Sequence, residues 1–338
     1  AVLALGQQLV DVTAFVDDLP ADIAPAEEQA GVVRALIDAA IANRASGGLY
    51  RWEGRYLEGA DQAELMSQIR VVNRRIQRPL RAQRPTLSSF ERWMLSSAAL
   101  SVIGSVTDHH AKLPTQQIRS LMADLASSVL AADLPTAVEV ARQSPVQPLA
   151  AAPTPVVGRY EAILQQSLQL FDKQGYRETS MGEIAAAVGI PTSGIYRYFG
   201  GKQDILSAVF RRSADRVSGE LSAVLAGAAD PGAALRALVA AYVTSSFANP
   251  ELAYVYYTER VNLGAADREM LRNVQRATVD SWVRLLTVVR PQRSEGEARF
   301  AVHAAMAQVI DLGRLVSYDD SAHVQAGVRR LMLVTLGL

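Results

Sequence analysis

Cysteine is absent from the sequence of 338 residues, which excludes disulfides, thiolate metal ligands and a cysteine nucleophile. Long hydrophobic runs are absent too, because no apolar stretch approaches the roughly 18 residues of a membrane-spanning helix. Residues 1–12 lack the basic region and the cleavage pattern of a signal peptide. We therefore expect a cytoplasmic protein without a membrane partner. Since Ala1 is not a methionine, we also expect the chain to begin inside a longer gene product.

Signatures of catalysis and of cofactor binding are also missing. The sequence contains no GxSxG nucleophile motif, no Walker lysine motif and no GxGxxG dinucleotide loop. It has only four histidines, and none of them shows the HxxxH or HxxE spacing of a metal site. His109 and His110 are adjacent, so their side chains would point in different directions on a helix. We therefore expect no enzyme, no cofactor and no resident metal.

The distribution of apolar residues predicts an all-α fold. They recur at spacings of three and four, as in Leu235, Leu238, Val239 and Tyr242, and strand-like alternation is scarce. A length of 338 residues exceeds what one compact core usually holds, so we expect more than one domain. Residues 143–157 carry four prolines and no charge, which predicts a semi-rigid linker.

Three blocks of the first part of the chain resemble three blocks of the second part, in the same order. The pairs are 34–40 with 236–242, 55–65 with 260–270, and 78–85 with 283–291. Their offset drifts from 202 to 206 residues, as small loop insertions would produce. We interpret the pattern as a tandem duplication, the alternative being chance alignment of alanine-rich helices.

Residues 158–206 have no counterpart in the first copy, and the segment 158–213 is the basic part of a neutral chain. It carries seven lysine or arginine residues against five acidic ones. After a helix over about 160–173, Thr179 or Ser180 is suited to cap a second helix. Glu183 lies three residues after Ser180, where a capping box places its acidic side chain.

A turn and a third helix follow. Gly189 can supply the left-handed residue of a tight turn, and the next helix is predicted over about 192–198. Two short helices joined by such a turn form a helix-turn-helix unit. The small residues Thr192, Ser193 and Gly194 would let the start of the third helix approach base edges in a major groove.

The run GYRETSMGEIAAAVGIPTSGIYRYFGGKQDIL resembles the DNA-binding domain of the TetR (tetracycline-repressor-like) regulators. It shares with them a glycine–aromatic pair, a Thr-Ser start to the second helix, the turn glycine, and a tyrosine-rich stretch followed by lysine. It differs at Pro191, where serine is common, and at Thr192, where a basic residue often lies; both bear on base specificity. The resemblance implies an all-α ligand-binding domain after the DNA-binding domain.

The resemblance also implies which residues contact DNA. They are Thr179, Ser180, Thr192, Ser193, Gly194, Tyr196, Arg197, Tyr198 and Lys202. The two hydroxyls before the second helix are expected at a phosphate, and the three small residues nearest the bases. The remaining side chains are expected to contact phosphates. A thymine methyl group is the alternative partner of Tyr196, and a base is the alternative partner of Arg197. The alternative is that the aromatic residues are core, which we prefer for Phe199 but not for Tyr196.

The second repeat offers a candidate pocket for a small apolar or amphipathic effector. Its expected residues are Tyr254, Tyr257, Arg260, Trp282, His303, Met306 and Asp311. Ordinary core packing is an equal alternative, and Asp311 could pair with Arg314 instead. The equivalent region of the first copy offers Tyr50, Trp52, Arg55, Trp93, His109 and His110. The sequence does not identify the effector.

We thus predict a tandem TetR-like protein with four segments. They are a ligand-binding and pseudo-dimerisation domain at 1–142, a linker at 143–157, a helix-turn-helix domain at 158–206, and a second ligand-binding domain at 207–338. The DNA-binding part of the first unit is lost or precedes Ala1. The two units are expected to pair within the chain through helices near 86–110 and 295–318, or two chains to form a homodimer.

The function predicted from these features is that of a ligand-responsive transcriptional regulator, most simply a repressor. It would bind double-stranded operator DNA through the helix-turn-helix at 179–198 and be released by a small-molecule effector. The alternative is a helical interaction or sensor protein whose helix-turn-helix no longer binds DNA.

Overall fold

The computed structural model describes residues 1–20, 22–45, 57–143 and 158–338. Within these ranges the regular elements are fifteen α-helices and short 3-10 turns, with no strand, as the all-α prediction requires. None of the described helices is both long and apolar enough to cross a bilayer. The linker from residue 144 onward, together with Tyr50, Trp52 and Arg55, lies outside the described residues.

Six helices form the first part of the chain. They are α1 (Val2–Val12), α2 (Pro25–Ala42), α3 (Gly59–Gln83), α4 (Ser89–Gly104), α5 (Thr115–Leu130) and α6 (Ala137–Gln143). Pro25 occupies the first helical position of α2, where its missing N–H has no intrahelical partner to lose. A 3-10 turn, Ser105–Thr107, continues α4 into the loop that carries His109.

Nine helices follow the linker. They are α7 (Arg159–Gln174), α8 (Met181–Val188), α9 (Thr192–Ile195), α10 (Lys202–Gly227), α11 (Pro231–Ala248), α12 (Pro250–Glu259), α13 (Ala265–Val289), α14 (Glu295–Leu315) and α15 (Ala322–Leu336). The predicted boundary between residues 206 and 207 falls inside α10, which runs without interruption from the helix-turn-helix into the next domain.

Four helices of the first part recur in the second at a nearly constant offset. Helices α2, α3 and α4 begin 206 residues before α11, α13 and α14, and α5 begins 207 residues before α15. Both α3 and α13 are 25 residues long. For the predicted repeat, the helix starts give an offset of 206 to 207, about one helical turn more than the 202 inferred for residues 34–40.

Local details repeat along with the helices. A serine–glutamate capping box begins α4 at Ser88 and α14 at Ser294. The residue that ends α3, Arg84, has φ −133° and ψ 70°, and the residue that ends α13, Arg290, has φ −126° and ψ 69°. In each part an arginine side chain donates to carbonyl groups at the end of the last long helix, Arg84 to Leu130 and Arg293 to Leu336. Carbonyls that have no partner within the helix are satisfied in this way.

A single hydrophobic core joins the two parts. Helix α4 packs against α14, and α5 and α15 pack against each other beside them, so that four helices form a bundle. The face of α14 in this core is rich in fully buried alanine, which lets helix backbones approach closely; the residues are Ala298, Ala301, Ala304 and Ala305. Gln308, also fully buried, accepts from Thr335 Oγ1 at 3.1 Å and donates to the carbonyl of Ala98 at 3.5 Å.

A second, smaller core holds the helix-turn-helix unit. It contains Phe171 of α7, Ile184 of α8, Ile195 of α9 and Phe210 of α10, all almost fully buried. Val255 of α12 belongs to the same core, so α12 packs directly against the helix-turn-helix unit. Leu271 of α13 belongs to this core too, so α10, α12 and α13 connect the unit to the rest of the second part.

Candidate nucleic-acid interface

The start of α8 is fixed by the predicted capping box. Ser180 Oγ accepts from the Glu183 backbone N–H at 3.1 Å, and the Glu183 carboxylate accepts from the Ser180 N–H at 2.7 Å. These hydrogen bonds with Ser180 lower the pKa of Glu183. Ser180 itself is exposed, so its position beside the positive end of α8 suits a phosphate contact.

The turn between α8 and α9 depends on a left-handed glycine, as predicted. Gly189 has φ 71° and ψ 34°. Its N–H donates to the carbonyl of Ala186 at 3.1 Å, and the Ile190 N–H donates to the carbonyl of Ala185 at 3.0 Å. This pair of bonds closes the helix as a Schellman motif and directs the chain into α9.

Helix α9 and the turn that follows it present polar side chains to solvent. Thr192, Ser193 and Arg197 are exposed, and Tyr196 and Tyr198 keep 55% and 43% of their surface accessible although they are aromatic. The arrangement therefore provides a surface of hydroxyl, phenol and guanidinium groups that could face a nucleic acid.

The third helix is shorter than predicted. It ends at Ile195 rather than near Tyr198, because the Tyr198 N–H bonds to the Ile195 carbonyl at 2.8 Å, a tight i to i−3 turn. Phe199 then inserts into the small core with 6% of its surface exposed, which confirms the core assignment. The ring of Tyr160 stacks on it at 5.1 Å.

The beginnings of α8 and α9 lie close together. A methyl group built on Gly182 would be 3.8 Å from both the Ser180 and the Thr192 hydroxyl oxygens. The two hydroxyls therefore share one surface. Gly194 could carry a β-carbon at ordinary contact distances from Ile190 and Pro191, so packing alone does not require a glycine there.

The structure contradicts the expected phosphate contact of Thr179. Only 1% of this residue is exposed, and its hydroxyl donates to the carbonyl of Gly175 at 2.8 Å. The side chain therefore closes the loop before α8 and is turned away from solvent. Because Thr179 and Ser180 are adjacent, sequence reasoning could not tell which hydroxyl would be buried.

Lys202 has a structural role that the sequence did not reveal. Its Nζ donates to the carbonyls of Tyr176 at 2.7 Å and of Arg177 at 3.1 Å, and lies 4.8 Å from the centre of the Tyr176 ring. An ammonium group has three donors, so one remains for a phosphate. The phosphate contact of Lys202 stays a prediction, but the residue also anchors α10 to the loop after α7.

A cavity of about 280 Å³ lies among α10 to α14 in the second part. Trp282, His303 and Met306 lie on its wall, and their role in ligand binding remains a prediction. Arg260 does not line it; this exposed residue follows α12 and stacks near the Tyr256 ring, 5.9 Å from its centre. The side chains of Tyr254 and Tyr257 lie outside what the structure describes.

Asp311 also does not line the described cavity. Its neighbour Ile310 does, and one step along an α-helix rotates a side chain by about 100°. Sequence reasoning missed most of the wall residues, among them Tyr242, Glu220 and Asp108. No local signal could have found Asp108, because it belongs to the first part and reaches the cavity only through tertiary packing.

Two stacked histidines, one from each part, lie beside Asp108: His109 is buried and His303 is half-buried. The rings of His109 and His303 stack at 4.1 Å, and Phe300 meets His109 edge-on at 4.5 Å. Burial lowers the pKa of His109 to about 2 and that of His303 to about 4. Both rings are therefore neutral near pH 7. The described part of the chain contains no cluster of potential metal ligands.

Residues 163–209, which span the helix-turn-helix and its supporting helices, match the profile of the family described as bacterial regulatory proteins, tetR family. Residues 163–209 are therefore similar to the DNA-binding domains of the TetR family, in agreement with the resemblance predicted from the sequence. The match begins at Ile163, which is also the first residue of the small core, and the core continues beyond residue 209 to Leu271 of α13.

The chain is similar to curated proteins over part of their length. It is 29% identical over 111 residues to the HTH-type transcriptional repressor KstR2 of Rhodococcus jostii (strain RHA1), covering 33% of this chain and 54% of KstR2. It is 29% identical over 126 residues to the HTH-type transcriptional regulator HbdR of Aromatoleum sp. (strain CIB), covering 37% and 55%. The chain thus spans about half the length of these curated relatives.

Among solved structures, the chain is similar to a TetR-family transcriptional regulator from Bordetella parapertussis 12822. The identity is 22% and the TM-score 0.47, and the match covers 52% of this chain and 94% of that chain. A likeness at this level is too partial to carry an argument about function.

Proposed function

We propose that the chain is a ligand-responsive transcriptional regulator that binds double-stranded operator DNA through α8 and α9 and acts as a repressor. The observation that carries the proposal is the exposed surface of α9 within a domain similar to those of the TetR family, where Tyr196 and Tyr198 face solvent without a partner in the described fold. Phosphate contacts would give affinity, and the small side chains at the start of α9 would leave room for base edges.

We also propose that residues 1–142 arose by tandem duplication and take the place of the second subunit of a dimer. The shared helix order, the common offset and the matching capping boxes support this proposal. So does the pairing of α4 with its counterpart α14 and of α5 with its counterpart α15, which is how an isologous interface is built. In addition, α1 packs on α2 and α3 much as α10 packs on α11 and α13.

The proposed effector site is the cavity of the second part, and two helices would transmit its occupancy. Helix α10 runs from Lys202, beside the helix-turn-helix, to Val217 and Leu221 on the cavity wall. Helix α12 contributes Tyr256 to the wall, and its last residue, Glu259, accepts a hydrogen bond from the Tyr176 N–H at 3.2 Å. A ligand that favours another position of these helices would shift the DNA-binding population.

The proposal is tested by fluorescence anisotropy with DNA from the region upstream of the gene. We expect selective binding that Tyr196→Ala or Arg197→Ala weakens at least tenfold without a change in thermal stability. Arg236→Ala is the matched control, because Arg236 is exposed on α11, away from the helix-turn-helix. Lys202 is unsuitable for this test, since its Nζ also holds two carbonyls. A folded protein without selective DNA binding would favour the helical interaction protein instead.

A further inference from the structure

The charged groups on the cavity wall are all of one sign. Asp108 and Glu220 line it, and none of the described residues on the wall is a lysine or an arginine. His303 adds no positive charge, because burial lowers its pKa to about 4. The other polar wall residues carry neutral hydroxyl and amide groups, so the charged side chains on the described wall are acidic.

Glu220 is the wall residue whose carboxylate a positively charged ligand would stabilise most. It is half-buried on α10 and takes part in none of the hydrogen bonds or ion pairs found among the described residues. An apolar ligand that displaced water from its carboxylate would leave a charge without a partner, which costs free energy. A ligand with a positive group at this point would restore the lost solvation.

The rest of the wall suits the same class of ligand. Phe210, Tyr242, Tyr256 and Trp282 provide aromatic rings, whose faces attract cations. Aliphatic side chains such as Ile310 complete the apolar part of the wall. A volume of about 280 Å³ is close to the lower end of ligand pockets, which limits the ligand to a small molecule.

The first part of the chain completes this cavity. Asp108 follows the 3-10 turn after α4, and that turn packs on α14. The next residue, His109, stacks on His303, itself a wall residue, at 4.1 Å. The position of Asp108 on the wall is therefore set by the contact between the two parts.

We propose that this cavity binds a small amphipathic cation, with Glu220 of the second part and Asp108 of the first part selecting its charge. The inference rests on the proposed function, because it assigns a chemical class to the effector of that regulator. It also gives the first part a role in ligand selection in addition to its structural one.

The test uses three probes with the same eight-carbon chain: n-octyltrimethylammonium, n-octanesulfonate and 1-octanol. Isothermal titration calorimetry on the full chain should show the cation binding at least tenfold more tightly than the sulfonate. Glu220→Gln and Asp108→Asn should each weaken cation binding severalfold and leave 1-octanol binding unchanged. Glu269→Gln and Asp215→Asn are the controls, because both acidic residues are exposed and lie off the described wall.

Equal or tighter binding of the sulfonate would overturn the inference, as would cation binding that is absent or insensitive to both wall variants. The calorimetry contains no DNA, so its failure is distinct from that of the proposed function. If the cation binds as expected but the chain does not bind DNA selectively, the cavity assignment stands and the regulator proposal fails.

Discussion

At the scale of single residues, burial decides which side chains are available to a ligand. Thr179 and Ser180 are neighbours with similar hydroxyl groups, yet one is 1% exposed and the other lies on the surface. The first closes a loop by donating to a carbonyl, and the second caps a helix. Their chemistry is alike, so only the fold separates a structural role from a DNA-binding one.

This difference gives a paired prediction. Thr179→Val keeps the shape of the side chain and removes its hydrogen bond, so we expect the free energy of unfolding to fall by about 1 kcal/mol. Ser180→Ala removes the helix cap and should cost a similar amount. Urea denaturation measures both losses. Only Ser180→Ala should also weaken DNA binding in an anisotropy titration; a larger loss of affinity in Thr179→Val would restore Thr179 as a DNA contact.

The stacked histidines predict a pH dependence of stability. In the unfolded chain they bind protons below about pH 6.5, whereas in the folded protein burial holds the pKa of His303 at about 4 and that of His109 at about 2. The nearby cations Arg44 and Arg299 and the neighbouring His110 also disfavour a proton on His109. The unfolded state therefore binds more protons below pH 6.5, and the free energy of unfolding should decrease as the pH falls from 6.5 to about 4.

Denaturation at pH 7.0 and pH 4.5 checks this expectation. His109→Phe removes one of the two stacked rings that can be protonated and should lose distinctly less stability between these pH values than the unmodified chain. His110→Gln removes an exposed histidine and should leave the loss unchanged. Equal losses in all three proteins would mean that the stacked pair does not control the acid response.

At the scale of elements, turns and caps were predictable because their causes are local. The capping box of α8 and the left-handed Gly189 follow from residue types within a few positions of each other. The length of α9 was not predictable, because the end of this helix depends on Phe199 entering a core built from α7 and α10. The acceptors of Lys202 and the place of Asp108 on the cavity wall depend on contacts distant in sequence, which periodicity does not contain.

The turn glycine can be tested against a helical one. Gly189→Ala forces an alanine into φ 71°, so we expect the free energy of unfolding to fall by about 1 kcal/mol. Gly219→Ala lies on the exposed face of α10 with no atom within 4 Å of the new methyl group. Since alanine favours a helix more than glycine does, this control should raise stability by up to about 1 kcal/mol. Urea midpoints that move the same way in both variants would contradict the assignment.

Helix α10 packs against both cores, with Ile205 and Leu206 in the small core and Leu221 and Val224 against the large one. Its 26 residues correspond to a length of roughly 39 Å, from the helix-turn-helix to the far side of the cavity. A rigid helix of this length converts a small displacement at the cavity into a larger one at α9. The predicted boundary between residues 206 and 207 lies inside α10. It therefore separates the proposed DNA-binding and ligand-binding functions, but it does not separate two independently folded domains.

At the scale of the whole molecule, the two parts bury the helix faces that could otherwise pair two chains. Helices α4 and α14 are packed against each other within one chain. We therefore expect a single-chain mass of 36.4 kDa in multi-angle light scattering at micromolar concentration. A stable mass of twice that value, independent of concentration, would show that another face joins two copies.

We propose that this chain binds operator DNA through α9 and the turn after it. The salt dependence of operator binding tests this most directly. The logarithm of the association constant should fall linearly with the logarithm of the salt concentration, because phosphate contacts release counterions. Arg197→Ala should flatten that slope by about one if its guanidinium meets a phosphate, or relax the preference for the operator if it meets a base. Binding that is insensitive to salt, or equal for unrelated DNA, would contradict the account.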